Sequence, residues 1–323
     1  AWGCDPDQLS VDPYAGAHSA VYTSMAKIVA AGADYKKAYL TLQEFFEKLR
    51  NEPQRWGKPF SALLGALDAQ LELGAAAIGG KDSMSGSFLD KDVPPTLISF
   101  AIAPIQGQQV LSPEFKAADH PVYLFRSEDT KSAWEAFHAL CEAGKVKAAW
   151  AVENGLAEAV MKMSFGNRIG FQAGMEDVSW YLSQVGGIVA ELAEDVNLPH
   201  ARRIGETTEV PMIALPGEAV SIDELLTLND AVLEPVYPTK AGTAETVAPI
   251  SWDKRSIAVC KHKAAHPKAV IPVFPGTNCE YDTARACIRA GIDPEIVVVR
   301  NLTTDFLTQS AQALERAIRS AQM

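Results

Sequence analysis

Several features that would direct a functional assignment are missing from this chain of 323 residues. No apolar run approaches the length of about 18 residues that spans a bilayer, and no signal peptide opens the chain. The net charge of −11 argues against nucleic-acid binding, which requires a basic face. Neither a membrane nor a nucleic acid is therefore an expected partner. The hydrophobic fraction of 48% is that of a globular protein, and the length suggests about two domains.

The cysteine and histidine patterns indicate neither a disulfide framework nor a metal site. The cysteines are odd in number, widely spaced and without a Cys-x-x-Cys pair: Cys4, Cys141, Cys260, Cys279 and Cys287. This pattern indicates a reducing, cytoplasmic location. The six histidines are scattered, and none has the spacing of metal ligands.

A glycine-rich motif stands out at residues 79–86, which read Gly-Gly-Lys-Asp-Ser-Met-Ser-Gly. Glycine permits close backbone approach, lysine supplies a positive charge, and Asp and Ser supply hard oxygen ligands, so the composition suits a phosphate or a metal-bound phosphate. The motif is not a P-loop, because Ala75 replaces the first glycine and Asp82 follows the lysine. The alternative is a tight turn whose Asp and Ser side chains only cap backbone groups.

Apolar periodicity predicts three helices in the first hundred residues, at 15–31, 36–50 and 60–73. In the first, Thr23 and Lys27 lie opposite an apolar stripe of Val21, Met25, Ile28 and Val29. The second buries Tyr39, Leu42, Phe46 and Leu49 and leaves Glu44 and Glu47 on a solvated face. The third turns inward Phe60, Leu63, Leu64, Leu67 and Leu71. A buried strand at 96–105 follows.

Strands and helices alternate from about residue 112 onward, which predicts an α+β domain. The predicted strands are 121–126, 146–152, 170–173, 187–192 and 210–215, and the predicted helices are 130–143, 156–165 and 222–229. A segment rich in Pro, Thr and Ala then indicates a linker, followed by a strand, a helix and a parallel strand at 269–300.

Two segments carry a family resemblance. Residues 79–88, continued by 92–100, closely resemble phosphoribosylformylglycinamidine synthase in its large, single-chain form, and residues 274–286 are similar to the opening of that family's glutaminase domain. The resemblance implies an α/β and α+β fold, with aminoimidazole-ribonucleotide-synthetase-like domains followed by a truncated βαβ start of a class I glutaminase domain. Because the chain begins without Met and ends in an uncapped helical pattern, we expect a fragment of a longer polypeptide.

The same resemblance implies the domain boundaries and the activity. Residues 1–106 would be part of the synthetase-like N-terminal domain, 112–245 the C-terminal domain, 246–268 a linker and 269–323 the start of the glutaminase. The parent would be an ATP-dependent, glutamine-linked ligase that converts formylglycinamide ribonucleotide to the amidine in purine biosynthesis. The fragment, whose partners are the remaining domains, would be inactive alone.

For the site, the resemblance implies an auxiliary position for Mg²⁺ and ATP or ADP. Asp82 would be the metal ligand, and the nucleotide would contact Gly80, Lys81, Ser83, Ser85, Thr23 and Lys27. Thr23 and Lys27 stand where the family offers a Glu and an Asn as metal ligands. Either the Lys27 amine takes the place of a cation or this site is defunct.

Further departures bear on catalysis. Glu153-Asn154-Gly155 stands where relatives carry Asp-Gly-Gly, and the glutaminase nucleophile pattern Gly-x-Cys-x-Gly is absent from the sequence. Cys279 is therefore expected to be a structural cysteine, and we assign no catalytic residue. Two other functions remain open. One is a related kinase or selenophosphate synthetase, which segment 274–286 disfavours, and the other is a non-catalytic scaffold half that binds no nucleotide.

Overall fold

The computed structural model describes residues 1–176, 178–240, 242, 246–254, 259 and 263–323. The chain divides into two compact units, Ala1–Gly242 and Thr243–Met323. Part of the predicted linker, including Cys260, lies outside the described residues. None of the helices in the described ranges combines the length and apolarity that crossing a membrane requires.

The first layer of the larger unit is a small sheet covered by helices. Its elements are β1 (Trp2–Gly3), α1 (Pro6–Val11), α2 (Pro13–Ala30), β2 (Tyr39–Phe45), α3 (Pro53–Leu73), β3 (Ala77–Lys81), β4 (Ser87–Phe88), β5 (Lys91–Asp92) and β6 (Thr96–Ile102). The sheet order is β1-β6-β2-β3, while β4 and β5 form a separate hairpin. Strand β6 is antiparallel to β1 and β2, and β3 pairs in parallel with β2 at the edge.

Helix α2 forms where periodicity predicts a helix. It begins after Asp12, whose carboxylate accepts hydrogen bonds from two backbone N–H groups of the first turn, and proline occupies the first helical position. The predicted apolar stripe is buried, with Val21, Met25 and Val29 fully inaccessible. Thr23 is also buried, because α2 lies between the sheet and other helices.

The predicted helix at 36–50 is wrong: this segment contains a short 3-10 turn at Tyr35–Lys37 and then strand β2. Its backbone pairs with β6 on one side and β3 on the other, so its hydrogen bonds are made between strands. Leu40 and Phe46 are buried on the same face, six residues or three strand periods apart, whereas Tyr39 and Phe45 are exposed. The apolar residues therefore follow a period of two that tertiary pairing selects.

The face assigned to the third helix is also wrong. Helix α3 turns small residues to the core and leaves the larger ones exposed by 41–71%: Phe60, Leu63, Leu64, Leu67 and Leu71. Gly65 explains the choice, because a Cβ there would lie 2.0 Å from the backbone oxygen of Tyr14 at the start of α2. Ala62, Ala66 and Ala69 are fully buried beside it. Small residues thus allow α2 and α3 to approach closely.

The second layer of this unit is a mixed seven-stranded sheet. Its elements are β7 (Pro121–Phe125), α4 (Thr130–Glu142), β8 (Val146–Ala151), α5 (Leu156–Phe165), β9 (Gly170–Ala173), β10 (Ile188–Leu192), β11 (Ala201–Thr208), β12 (Met212–Leu215), β13 (Glu218–Ser221) and α6 (Ile222–Ala231). The strand order is β13-β12-β9-β11-β7-β10-β8. The predicted elements are present, but the interior strand β11 has a polar sequence that no apolar pattern reveals.

The smaller unit contains a two-stranded parallel sheet and two helices: β14 (Lys268–Val273), α7 (Glu280–Arg289), β15 (Asp293–Val298) and α8 (Thr304–Ser320). Strands β14 and β15 pair in register from Lys268 opposite Asp293 to Val273 opposite Val298. The predicted strand–helix–strand order and parallel pairing are therefore present in the structure. Helix α8 begins at an N-cap, Thr303, whose hydroxyl accepts from the backbone N–H of Phe306.

Candidate nucleotide and metal site

The glycine-rich motif begins inside a strand. Gly79, Gly80 and Lys81 are the last three residues of β3, and all three are exposed at the sheet edge. A Cβ on Gly80 would lie 2.3 Å from the backbone oxygen of Leu42, so glycine is required there for β3 to approach β2. A Cβ on Gly79 would meet nothing within 4 Å. One glycine therefore has a packing role, and the other leaves open backbone at the surface.

Beyond β3 the backbone continues to follow β2. The Ser83 N–H donates to the Glu44 carbonyl at 3.0 Å, and the Phe46 N–H donates to the Ser83 carbonyl at 3.0 Å. The Gly86 N–H then donates to the Phe46 carbonyl at 2.9 Å. These bonds fix the position of Asp82 beside Glu44, since Lys81 pairs with Gln43 one residue earlier.

Two serines of the motif present their hydroxyls together. Ser83 Oγ and Ser85 Oγ lie 2.7 Å apart, and Ser85 lines a cavity of about 270 Å³ formed with the β4–β5 hairpin. The hairpin is fixed by Asp92, which accepts from Ser87 Oγ at 2.5 Å and from Arg55 Nη2 at 2.6 Å. The Arg55 guanidinium, followed by the Ser87 hydroxyl, lowers the pKa of Asp92 to about 2.

Glu44 is buried, which contradicts its predicted place on a solvated helix face. Only 7% of the residue is exposed, and its Oε1 atom makes no hydrogen bond within the described part of the chain. Burial, and then the negative charge of Asp82, raise the pKa of Glu44 to about 7. Its side chain lies on the strand face of Leu40 and Phe46. The alternation of β2 therefore contained a signal for a buried carboxylate.

Glu47 is likewise buried rather than solvated, with 1% of the residue exposed. In contrast to Glu44, it has a cationic partner, because Lys58 Nζ lies 2.6 Å from Glu47 Oε1. Lys58 belongs to the first turns of α3, so this ion pair connects the helix to the segment after β2.

The two predicted residues on α2 lie elsewhere. Thr23 lines a cavity of about 290 Å³, together with Glu153 and Asn154, whereas Lys27 lines a separate cavity of about 200 Å³. Lys27 Nζ forms an ion pair with Glu153 Oε2 at 2.9 Å and lies 4.3 Å from the centre of the Trp2 ring. Lys27 and Glu153, which both stand at positions that depart from the pattern of the family the sequence resembles, therefore pair with each other.

The cavity at Thr23 has an acidic lining. Asp5, Asp7 and Glu153 contribute carboxylates, and none of the residues that line it is Lys or Arg. Such a lining disfavours a phosphate that arrives without a cation. None of the motif residues 79–86 lines this cavity, and neither Thr23 nor Lys27 lines the one at Ser85. Neither of these two cavities is therefore shared by the motif and the α2 pair.

A site made by protein ligands alone is not found at the motif. Within the described ranges no three His, Cys, Asp or Glu side chains converge in a way that could hold a metal ion. Asp82 and Glu44 provide two carboxylates, and Ser83 and Ser85 provide hydroxyls. This donor set suits Mg²⁺, which binds one or two carboxylates and takes its other ligands from water and phosphate.

In the smaller unit, Cys279 immediately precedes α7 with a positive φ of 66°. Its thiol is exposed and donates a hydrogen bond to Asn278 Oδ1 at 3.4 Å. A carboxamide acceptor does not activate a thiol as a base would. The structural role expected for this cysteine stays a prediction.

Residues 266–315 match the model of the CobB/CobQ-like glutamine amidotransferase domain. Among solved structures, Thermotoga maritima PurL complexed with FGAR is similar with a TM-score of 0.53 and 14% identity, over 79% of this chain and 48% of that one. PurLQS from the same organism gives 0.52 and 13%, over 79% and 47%. PurL complexed with AMPPCP gives 0.51 and 14%, over 77% and 46%. No curated protein matches the chain.

The mixed α/β fold of the chain is thus that of PurL, and a glutamine amidotransferase sequence follows at its C-terminal end. The chain spans about half the length of the PurL structures that it matches.

Proposed function

We propose that this chain is one section of a phosphoribosylformylglycinamidine synthase of the large, single-chain form. That enzyme uses ATP and glutamine to convert formylglycinamide ribonucleotide to the amidine in purine biosynthesis. The observation that carries the proposal is the order of the two matches along one chain. A PurL fold comes first, and a glutamine amidotransferase segment at 266–315 follows.

The extent of the match supports the role of one synthetase-like half. Because the chain spans about half of PurL, we propose that the other half and the rest of the glutaminase belong to the same longer polypeptide. Residues 1–106 and 112–245 would then be the two domains of this half, 246–268 the linker and 269–323 the start of the glutaminase. Without the Gly-x-Cys-x-Gly segment, the chain alone would release no ammonia from glutamine.

Within this half, we assign the nucleotide-binding role to the end of β3. Gly80 and Lys81 would offer backbone and a positive charge to phosphate, and the Ser83 and Ser85 hydroxyls would donate to its oxygens. Asp82 would hold Mg²⁺, which when bound neutralises phosphate charge. Thr23 and Lys27 fit this group less well, because the Lys27 ammonium is already neutralised by Glu153.

The test is an assay of the longer polypeptide that contains this chain. We expect ADP formation that requires both formylglycinamide ribonucleotide and glutamine, with ammonia able to replace glutamine. The separate chain should give no product and no glutamate. ATP hydrolysis that is indifferent to formylglycinamide ribonucleotide, or its stimulation by a different amide substrate, would contradict the proposal.

Nucleotide binding by this half has its own test. Calorimetry of the chain with Mg-ADP should give one binding site that weakens about tenfold in Asp82→Asn. Absence of binding at millimolar nucleotide would leave a half that acts only as a scaffold.

A further inference from the structure

Glu44, which the sequence predicts on a solvated face, is the least compensated charge of the motif region. Glu44 is 7% exposed, and its Oε1 finds no hydrogen-bond donor among the described residues. Burying a charge without a partner costs several kcal/mol, on the order of the stabilisation that a whole small domain retains. A structure that keeps such a group needs either a proton or a cation beside it.

The residues beside Glu44 increase the cost of burying its negative charge. On one side β6 contributes Leu97, which is fully buried, in register with Glu44. On the other side lies Asp82, because Gln43 pairs with Lys81 and the Ser83 N–H donates to the Glu44 carbonyl. Paired residues of adjacent strands direct their side chains to the same face, so two carboxylates stand side by side.

The two carboxylates differ in their exposure to solvent. Asp82 is exposed, whereas Glu44, the residue beside it on β2, is buried. A hydrated cation can therefore reach Asp82 from solvent, and it would contact Glu44 after losing part of its water shell, because the Glu44 Oε1 atom is buried. Both residues lie at the carboxyl ends of the parallel pair β2 and β3, where ligands of α/β sheets commonly bind.

We propose that Glu44 and Asp82 together bind a divalent cation, Mg²⁺ in the cell, at the end of β2 and β3. The remaining coordination positions are filled by water, or by phosphate oxygens when a nucleotide is bound, and the Ser83 and Ser85 hydroxyls lie beside them. This assignment rests on the proposed nucleotide role of the same motif and adds Glu44 as a ligand. It moves the cation away from the α2 face, where Lys27 and Glu153 neutralise each other.

The test is a titration of the intact chain with Mn²⁺, in which electron paramagnetic resonance measures the free ion. We expect one saturable site, and an affinity that falls about tenfold or more in Glu44→Gln and in Asp82→Asn. Glu47→Gln is the matched control, since it removes another buried carboxylate of the same segment that already has Lys58 as its partner. That variant should bind Mn²⁺ within about twofold of the parent.

Binding of equal strength in Glu44→Gln and the parent would overturn the proposal, as would no saturation by about 1 mM Mn²⁺. If Glu44→Gln fails to fold, Glu44→Asp replaces it, because the shorter side chain keeps the charge but withdraws the carboxylate, and the Mn²⁺ affinity should still fall. The outcome is separate from that of the ligase assay. Synthase activity with unchanged Mn²⁺ binding in Glu44→Gln would remove only the new ligand, whereas normal metal binding without synthase activity would remove only the proposed function.

Discussion

The end of β3 and one face of α2 are both expected from the sequence to contact a bound nucleotide. Charge is compensated within the protein on α2 but not at the end of β3. On α2, Lys27 and Glu153 form an ion pair with about a quarter of each side chain exposed. At β3, Asp82 and Glu44 carry the same sign, and Glu44 is almost fully buried. A site that needs a ligand is recognised by charge that the protein itself leaves uncompensated. By that measure the β3 end qualifies and the α2 face does not.

The largest expected effect separates the packing role of the motif from its binding role. Gly80→Ala should destabilise the chain by about 3 kcal/mol, because its Cβ would overlap the Leu42 backbone oxygen. Gly79→Ala should change stability by less than about 0.5 kcal/mol, since its Cβ would meet open space. Urea denaturation measures both. Equal costs in the two variants would show that the strand approach inferred at Gly80 is incorrect.

A second pair of variants examines the α2 face. Lys27→Met should cost about 2 kcal/mol of unfolding free energy, because Glu153 loses its partner and Trp2 loses the ammonium over its ring. Adding Glu153→Gln should recover about 1 kcal/mol, since the uncompensated carboxylate is then gone. Strict additivity of the two single changes would mean that the ion pair contributes nothing and that Lys27 is available to a ligand.

The smallest expected effects are changes of opposite sign in the free energy of unfolding, at two neighbouring glutamates. In EDTA, Glu44→Gln should stabilise the chain by about 1 kcal/mol, because a buried charge beside Asp82 is removed. Glu47→Gln should destabilise it by about 1 kcal/mol, because the charge-assisted contact with Lys58 weakens. Thermal unfolding of the metal-free variants measures both. Destabilisation by Glu44→Gln would indicate that this carboxylate has a partner in the folded protein.

Much of the fold could be predicted from sequence, since turns and helix caps act locally. Helix α2, strands β7 to β10 and β12, helices α4 to α6 and the parallel pair β14 and β15 follow from apolar period, capping residues and glycine stops, whereas β11 and β13 do not. Strand β2 could not be assigned so easily, because its leucines and phenylalanines fit a period of either two or 3.6, and only pairing with β3 and β6 selects between them. The buried face of helix α3 was predicted wrongly for another reason. The close approach of α2 at Gly65 selects the face of small residues over the face of large apolar ones.

The site was predictable in one part only. The motif at 79–86 was visible because Gly, Lys, Asp and Ser are adjacent in sequence. The pairing of Lys27 with Glu153 joins residues more than a hundred positions apart, which no local pattern shows. Glu44 was missed because the wrong period was assigned to its segment. Read as a strand, the same residues place Glu44 on the buried face with Leu40 and Phe46.

The position of a bound cation distinguishes the β3 end from the α2 face most directly. Crystals of the chain grown with Mn²⁺ and ADP, measured at the manganese absorption edge, would locate the ion by anomalous scattering. We predict one strong peak between the carboxylates of Glu44 and Asp82 that disappears in Glu44→Gln. A peak in the acidic cavity beside Thr23, or none near β3 at full occupancy of the nucleotide, would contradict this assignment.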